Sequence, residues 1–160
     1  ATSFRYDSWH GWWHLARTGR PAAFPFGFGL TYTSLSIDGA AAAVGDSELV
    51  VSGAVRNEGD RPGSEVVQVF AELPADDAPG RLIAFTRVAV EAGGVSSFEL
   101  SIPLDRLATR DSVGHRWVAP AGQHRVTVAR SADDPAATTI TLEVLARRPP
   151  RGCGPRPGAR

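Results

Sequence analysis

The chain has 160 residues, enough for one domain or one domain with a flanking segment, and a chain of that size buries about 68–70% of its unfolded surface. Seventeen basic and seventeen acidic residues cancel, which argues against a whole-chain electrostatic grip on nucleic acid. The single cysteine, Cys153, excludes an internal disulfide framework and a Cys-based zinc finger, and no apolar run approaches the ~18 residues of a membrane-spanning helix.

The charge is unevenly spread. Residues 1–146 hold 12 Arg against all 17 acids, while residues 147–160 hold five Arg and no acid. Every basic residue is Arg, and Met is absent. Ala1 is therefore not an encoded start, and the chain is expected to be processed or to be a piece of something longer. The first thirty residues lack the basic start, apolar middle and small-residue cleavage site of a signal peptide.

Residues 1–32 carry Phe4, Tyr6, Trp9, Trp12, Trp13, Phe24, Phe26, Phe28 and Tyr32, interrupted throughout by Gly and Pro. Neither a 3.6 nor a 2.0 period fits, and Pro25 with its neighbouring glycines forbids a long regular element. So apolar and irregular a stretch must lie against a neighbouring surface. From residue 33 the pattern changes to period-2 alternation. Val67, Val69, Ala71 and Leu73 oppose Gln68 and Glu72; Phe98, Leu100 and Ile102 oppose Glu99 and Ser101; Ile140, Leu142 and Val144 oppose Thr141 and Glu143. Half-buried strands produce this alternation. Turn signals separate the runs at 57–63, 78–80, 93–94, 120–122 and 133–135. The expectation is an all-β antiparallel sandwich of about seven strands, at 33–38, 47–57, 64–74, 81–91, 95–102, 115–119 with 123–130, and 138–146. One helical turn is expected over Leu104–Thr109. Residues 147–160, without a hydrophobic anchor, are expected to be a disordered basic tail.

Five ordered motifs then resemble one family. Phe24-Pro25-Phe26-Gly27-Phe28-Gly29-Leu30-Thr31-Tyr32-Thr33 is similar to the FPFGxGLSYT signature of glycoside hydrolase family 3, of the β-glucosidase type. His10-Gly11-Trp12-Trp13-His14-Leu15-Ala16-Arg17-Thr18-Gly19 resembles the HGYRxLDRxG stretch that precedes it. Asn57 to Phe70 resembles NxGxxxGxEVVQVY, Arg81 to Val88 resembles RLxAFxRV, and Trp117 to Gly122 is similar to a late W-V-x-x-x-G turn. The resemblance covers about residues 4–146. It implies that 1–32 is the exit segment of an upstream α/β domain with its linker, and that 33–146 is a fibronectin type III-like, immunoglobulin-like sandwich. This sequence departs from the family pattern at Trp12-Trp13, Ala16, Arg110, His124 and Ala129, where the family carries Tyr-Arg, Asp, Trp, Tyr and Gly.

The resemblance further implies retaining hydrolysis by an Asp nucleophile and a Glu acid/base, about 5–5.5 Å apart, both in upstream domains. No pair in this chain replaces them, so no catalytic residue is assigned. Asp76-Asp77 and Asp133-Asp134 sit beside Pro, where acids solvate turns and cannot flank a substrate from two sides. Glu65 is expected to make a cross-strand or turn hydrogen bond. His10 and His14 have the spacing of two helix ligands, but Gly11 lies between them and no third ligand stands out, so no metal is assigned. Cys153 in a loose tail is not read as a catalytic thiol. No cofactor is implied.

Two roles remain for the aromatic stretch. Trp9, His10, Trp12 and Trp13 are candidates for the rim of a sugar pocket, since indole rings stack on the apolar face of a sugar. Phe24, Phe26, Phe28, Leu30 and Tyr32 are candidates for docking onto the upstream catalytic domains. The expected function is a non-catalytic C-terminal accessory domain whose partners are those domains, with carbohydrate as a further partner and neither nucleic acid nor membrane. The alternatives are a free-standing carbohydrate-binding or adhesion module, and a truncated gene product without activity.

Overall fold

The computed structural model describes residues 3, 9–74, 78–111 and 113–145. The expectations for Phe4, Tyr6, Asp76-Asp77 and the tail with Cys153 lie outside the described residues.

Among the described residues, nine strands form two packed sheets and a small ribbon. The strands are β1 (Leu35–Val44), β2 (Glu48–Asn57), β3 (Gly63–Glu72), β4 (Arg81–Val90), β5 (Val95–Pro103), β6 (Thr109–Asp111), β7 (Arg116–Val118), β8 (Gly122–Ala129) and β9 (Thr138–Val144). One sheet has the order β1-β2-β5, the other β4-β3-β8-β9, and β6 pairs with β7. All pairings are antiparallel. This is the all-β sandwich that the alternation implies.

The alternation builds the core. Leu49, Val51 and Val55 of β2, with Phe98 and Ile102 of β5, face Val67, Val69, Val88, Val90, Val126 and Val128 of the other sheet, and all are buried. Burying one such side chain is worth about 1.5–3 kcal/mol, so these contacts hold the two sheets together.

Several elements differ from expectation. The first strand runs on to Val44 instead of ending at 38, because a register shift between Asp38 and Ala41 carries the pairing past Gly39. Such a bulge interrupts the hydrophobic alternation that sequence reading relies on. The helical turn is a 3-10 turn over Leu104–Leu107, and the chain then extends at Thr109 into β6. Among its described residues the aromatic stretch contains one short helix, α1 (Trp12–Arg17). At six residues it is too short to show a helical period in sequence. Gly11 stands at its N-terminal boundary, so His10 lies outside it.

Strand β3 is the other departure. Residues 67–71 are buried on both faces, although the alternation marks only one as dry. The inner face meets the core; the outer face is covered by the aromatic stretch, described next.

Candidate functional site: an aromatic arm on the outer face of the β4-β3-β8-β9 sheet

Residues 9–34 form an arm pinned to the sandwich at three points. The first is a ring cluster. Trp12 stacks on Phe26, with centroids 5.4 Å apart and planes 13° apart. Both meet Phe70 of β3 edge-on, at 6.2 and 6.4 Å. Offset and edge-to-face pairs at such distances add about 0.5–1.5 kcal/mol beyond burial.

The second point is Gln68. Its side chain is 3% exposed, and Nε2 donates to the carbonyls of Gly27 at 3.1 Å and Arg130 at 2.5 Å. Close by, the Ala132 N–H donates to the Phe26 carbonyl at 2.9 Å. Gly27 has φ of +81°, and a Cβ there would fall on the Gln68 amide. Only glycine suits both the left-handed backbone and the close approach.

The third point is Asn57, 1% exposed. Its Oδ1 accepts from Thr33 Oγ1 at 2.6 Å and from the Gly59 N–H at 3.0 Å, while Nδ2 donates to the Arg61 carbonyl at 2.7 Å. Thr33 lies so close that a Cβ on Gly59 would strike its hydroxyl, and one on Gly63 would sit 2.6 Å from its methyl. The spacing of Asn57, Gly59 and Gly63 is thus that of a loop folded around the end of the arm.

Beyond these pins the arm turns apolar side chains outward. Phe24 is 73% exposed, Phe28 46%, Leu30 91% and Tyr32 94%, while Phe26 is 41% exposed despite its stacking. On the same outer face Phe85, whose backbone pairs with that of Gln68, is 66% exposed. Phe26, read from sequence as a docking residue with the rest, is in contact with the chain's own Phe70.

Of the four rim candidates, the three tryptophans form one run of rings and His10 is exposed. Trp12 stacks in the ring cluster and also meets Trp13 edge-on at 5.7 Å. Trp9 and Trp13 stay together, with centroids 6.5 Å apart, and the Arg17 guanidinium sits 4.5 Å over the Trp9 ring. They line a cleft of about 350 Å³ with Leu73, Pro79, Arg81 and Thr109. No cluster of three His, Cys, Asp or Glu that could hold a metal occurs among the described residues.

The acids mostly serve local structure. Asp134 was expected to be a solvated turn acid, but its side chain is only 3% exposed. Its two oxygens accept from Arg130 Nε at 2.9 Å and Nη2 at 3.0 Å, and this pairing, with its backbone hydrogen bonds, holds the carboxyl down at about 2. Arg130 Nη1 also donates to the Leu35 carbonyl at 3.1 Å, tying the turn after β8 to the start of β1. Glu65 accepts from the Val66 N–H at 3.0 Å, and burial pushes its carboxyl up. Asp38 and Glu99 line an open groove on the other sheet, where Asp38 is paired with Arg56 Nε at 2.8 Å. His124 is fully buried, with Nδ1 at 3.1 Å from the Gly122 carbonyl, and desolvation lowers its pKa.

Sequence reading did not single out Gln68, Phe70, Arg81, Thr109 or Arg130. A signal existed for the first two: a Gln and a large aromatic on the supposedly wet parity of β3 mark an outer face that something covers.

These features define a fibronectin type III-like domain, and residues 65–132 match the family of that description. The relatives narrow it further. A β-glucosidase of Kluyveromyces marxianus is 31% identical over 137 residues, taking in 80% of this chain and 16% of its own length. A β-glucosidase of Rhizobium radiobacter is 35% identical over 128 residues, or 76% of this chain and 16% of the relative. The solved β-glucosidase 3B of Thermotoga neapolitana, in complex with α-D-glucose, superposes with a TM-score of 0.79 at 28% identity, covering 89% of this chain and 21% of that one. The chain belongs to the C-terminal, fibronectin type III-like region of the glycoside hydrolase family 3 β-glucosidases. It spans only 15–16% of the length of the first curated relatives it matches.

Proposed function

We propose that this chain is a non-catalytic accessory domain of a family 3 glycosidase, with residues 1–32 leading out of an upstream α/β domain and 33–146 forming the sandwich. The outward rings of its arm dock on the upstream catalytic domains and hold them in place, and those domains supply the Asp and Glu that hydrolyse a β-glucoside. One observation carries this reading. The arm is fixed by Gln68 and Ala132 through its backbone and by Asn57 through the Thr33 hydroxyl, yet Phe24, Leu30 and Tyr32 are 73%, 91% and 94% exposed. Apolar side chains held rigidly in water mark a surface with a partner. The likeness to β-glucosidases several times longer supports a partner in the same polypeptide.

The test has two arms. The purified chain is offered an aryl β-glucoside, and no turnover is expected; measurable turnover refutes the non-catalytic reading. A Phe24→Ser, Phe28→Ser, Leu30→Ser variant should melt at the same temperature as the parent and associate less with itself. A large fall in melting temperature would show that these side chains serve the chain's own core and would refute docking.

A further inference from the structure

His124 is a titratable ring set into the apolar interior of the sandwich. It stands near the start of β8 with the parity of Val126 and Val128, and it is 0% exposed. Its Nδ1 lies 3.1 Å from the Gly122 carbonyl. A carbonyl only accepts, so Nδ1 carries the hydrogen and Nε2 of the neutral ring is a bare lone pair. That Nε2 is buried and meets no hydrogen-bond partner among the described residues. Neutral, the ring leaves one acceptor unsatisfied. Protonated, it would be a buried cation with no acceptor for its new hydrogen, which costs far more. Burial accordingly lowers its pKa; the Arg81 charge on β4 also opposes the proton, and the exposed Glu143 of β9 favours it.

The same end of the sandwich is closed by few ties. Arg81 Nη2 donates to the Arg106 carbonyl at 2.6 Å, which fastens β4 to the Leu104–Leu107 turn. The turn itself is held by the Leu104 N–H on the Ser47 carbonyl and the Ala108 N–H on the Asp105 carbonyl, each at 3.0 Å. Of its charged side chains, Asp105 is half-buried and Arg106 exposed. The opposite end is tied by groups that do not loosen in mild acid. Asn57 does not titrate, the Asp134 carboxyl on Arg130 sits at about 2, and Glu65, raised by burial, favours the folded chain as pH falls.

We propose that His124 and Arg81 form an acid-operated latch on this end of the sandwich. Once His124 takes up a proton, the two cations part, Arg81 leaves the Arg106 carbonyl, and the Leu104–Leu107 turn opens while the far end stays closed. The proton reaches Nε2 in the open form, where the ring meets water and titrates as an ordinary histidine. Opening is therefore rare above about pH 6.5 and grows tenfold for each pH unit below it, until the closed form can also take the proton. The latch does not rest on the docking reading, and its test uses the chain alone.

The experiment follows amide hydrogen exchange in the ¹⁵N-labelled 160-residue chain from about pH 7.5 to about pH 4, each rate divided by the intrinsic rate at that pH to give an opening constant. For the Leu104 and Ala108 amides this constant should rise by about tenfold to thirtyfold between about pH 7.5 and pH 5, with its onset near 6.5. The Asn57 N–H, which donates to the Gly94 carbonyl at 2.9 Å at the far end, should change by less than about twofold. His124→Phe keeps a ring that cannot take a proton, and should leave all three amides flat over that range. Four results overturn the latch: constant opening at Leu104 and Ala108, an Asn57 amide that rises in step with them, an onset below about pH 5, where carboxylates titrate, or a rise that persists in His124→Phe. If that variant does not fold, the onset and the Asn57 comparison in the unsubstituted chain decide.

Discussion

Replacing Gly27 with Ala tests the pinned arm at its tightest point. With φ at +81°, a residue bearing a Cβ costs about 1–2 kcal/mol in this left-handed backbone. The new methyl would also fall on the Gln68 amide. That amide is the end of a side chain, but it is 3% exposed and bonded to two carbonyls. Swinging it aside leaves buried polar groups unpaired, at about 1–3 kcal/mol. The sum is about 2–5 kcal/mol, limited at the top by release of the arm, which would forfeit the stacking of Trp12 and Phe26 on Phe70. For a chain of this size the melting temperature should fall by roughly 6–15 °C. Circular dichroism gives the melt, and tryptophan emission reports whether Trp12 leaves its ring cluster. A double-mutant cycle sharpens the case: in a Gln68→Ala background the clash is gone, so Gly27→Ala should cost only its backbone share, and the two substitutions should fall short of additivity by about 1 kcal/mol or more. A melt within about 2 °C of the parent, with unchanged emission, refutes the reasoning.

Asn57→Ala removes the acceptor for Thr33 Oγ1 and the Gly59 N–H and the donor to the Arg61 carbonyl; at about 1 kcal/mol each, urea denaturation should show a loss of about 2–4 kcal/mol. Burial lowers the His124 pKa in the folded chain, which opposes its taking up a proton. The unfolded chain takes up that proton first, so the stability is fully present above the ordinary histidine value of about 6.5 and declines as pH falls below it. Denaturation at several pH values should show this slope, and His124→Phe should flatten it. Asp134 works at lower pH: with its carboxyl at about 2 against an ordinary 3.8, its contribution of about 2 kcal/mol is present above the ordinary value and is lost as pH falls toward 2. Asp134→Asn should remove about that much at neutral pH and erase the acid-side slope in the same titration.

Most of the sandwich was legible because its strands are half-buried and alternate, from Leu49–Val51 through Phe98–Ile102 to Val126–Val128. The second half of β1 was not, because the shift after Asp38 breaks the alternation. Helix α1 was hidden by its length. The arm shows where sequence reading stops for a physical reason: Trp9, Trp12 and Trp13 look alike as letters, and only the third dimension shows them as one run of rings in which Trp12 alone reaches Phe70. Asp134 was misjudged because its partner Arg130 looked like one more surface arginine, while its guanidinium reaches back 95 positions to the Leu35 carbonyl.

Thr33 stands two positions ahead of the first strand, yet its hydroxyl and methyl fill the hollow between Gly59 and Gly63. A graft of this sandwich onto another enzyme, begun at the first paired residue, would leave that hollow empty and Asn57 short of a partner. The transferable unit is the sandwich together with the last few residues of whatever feeds into it.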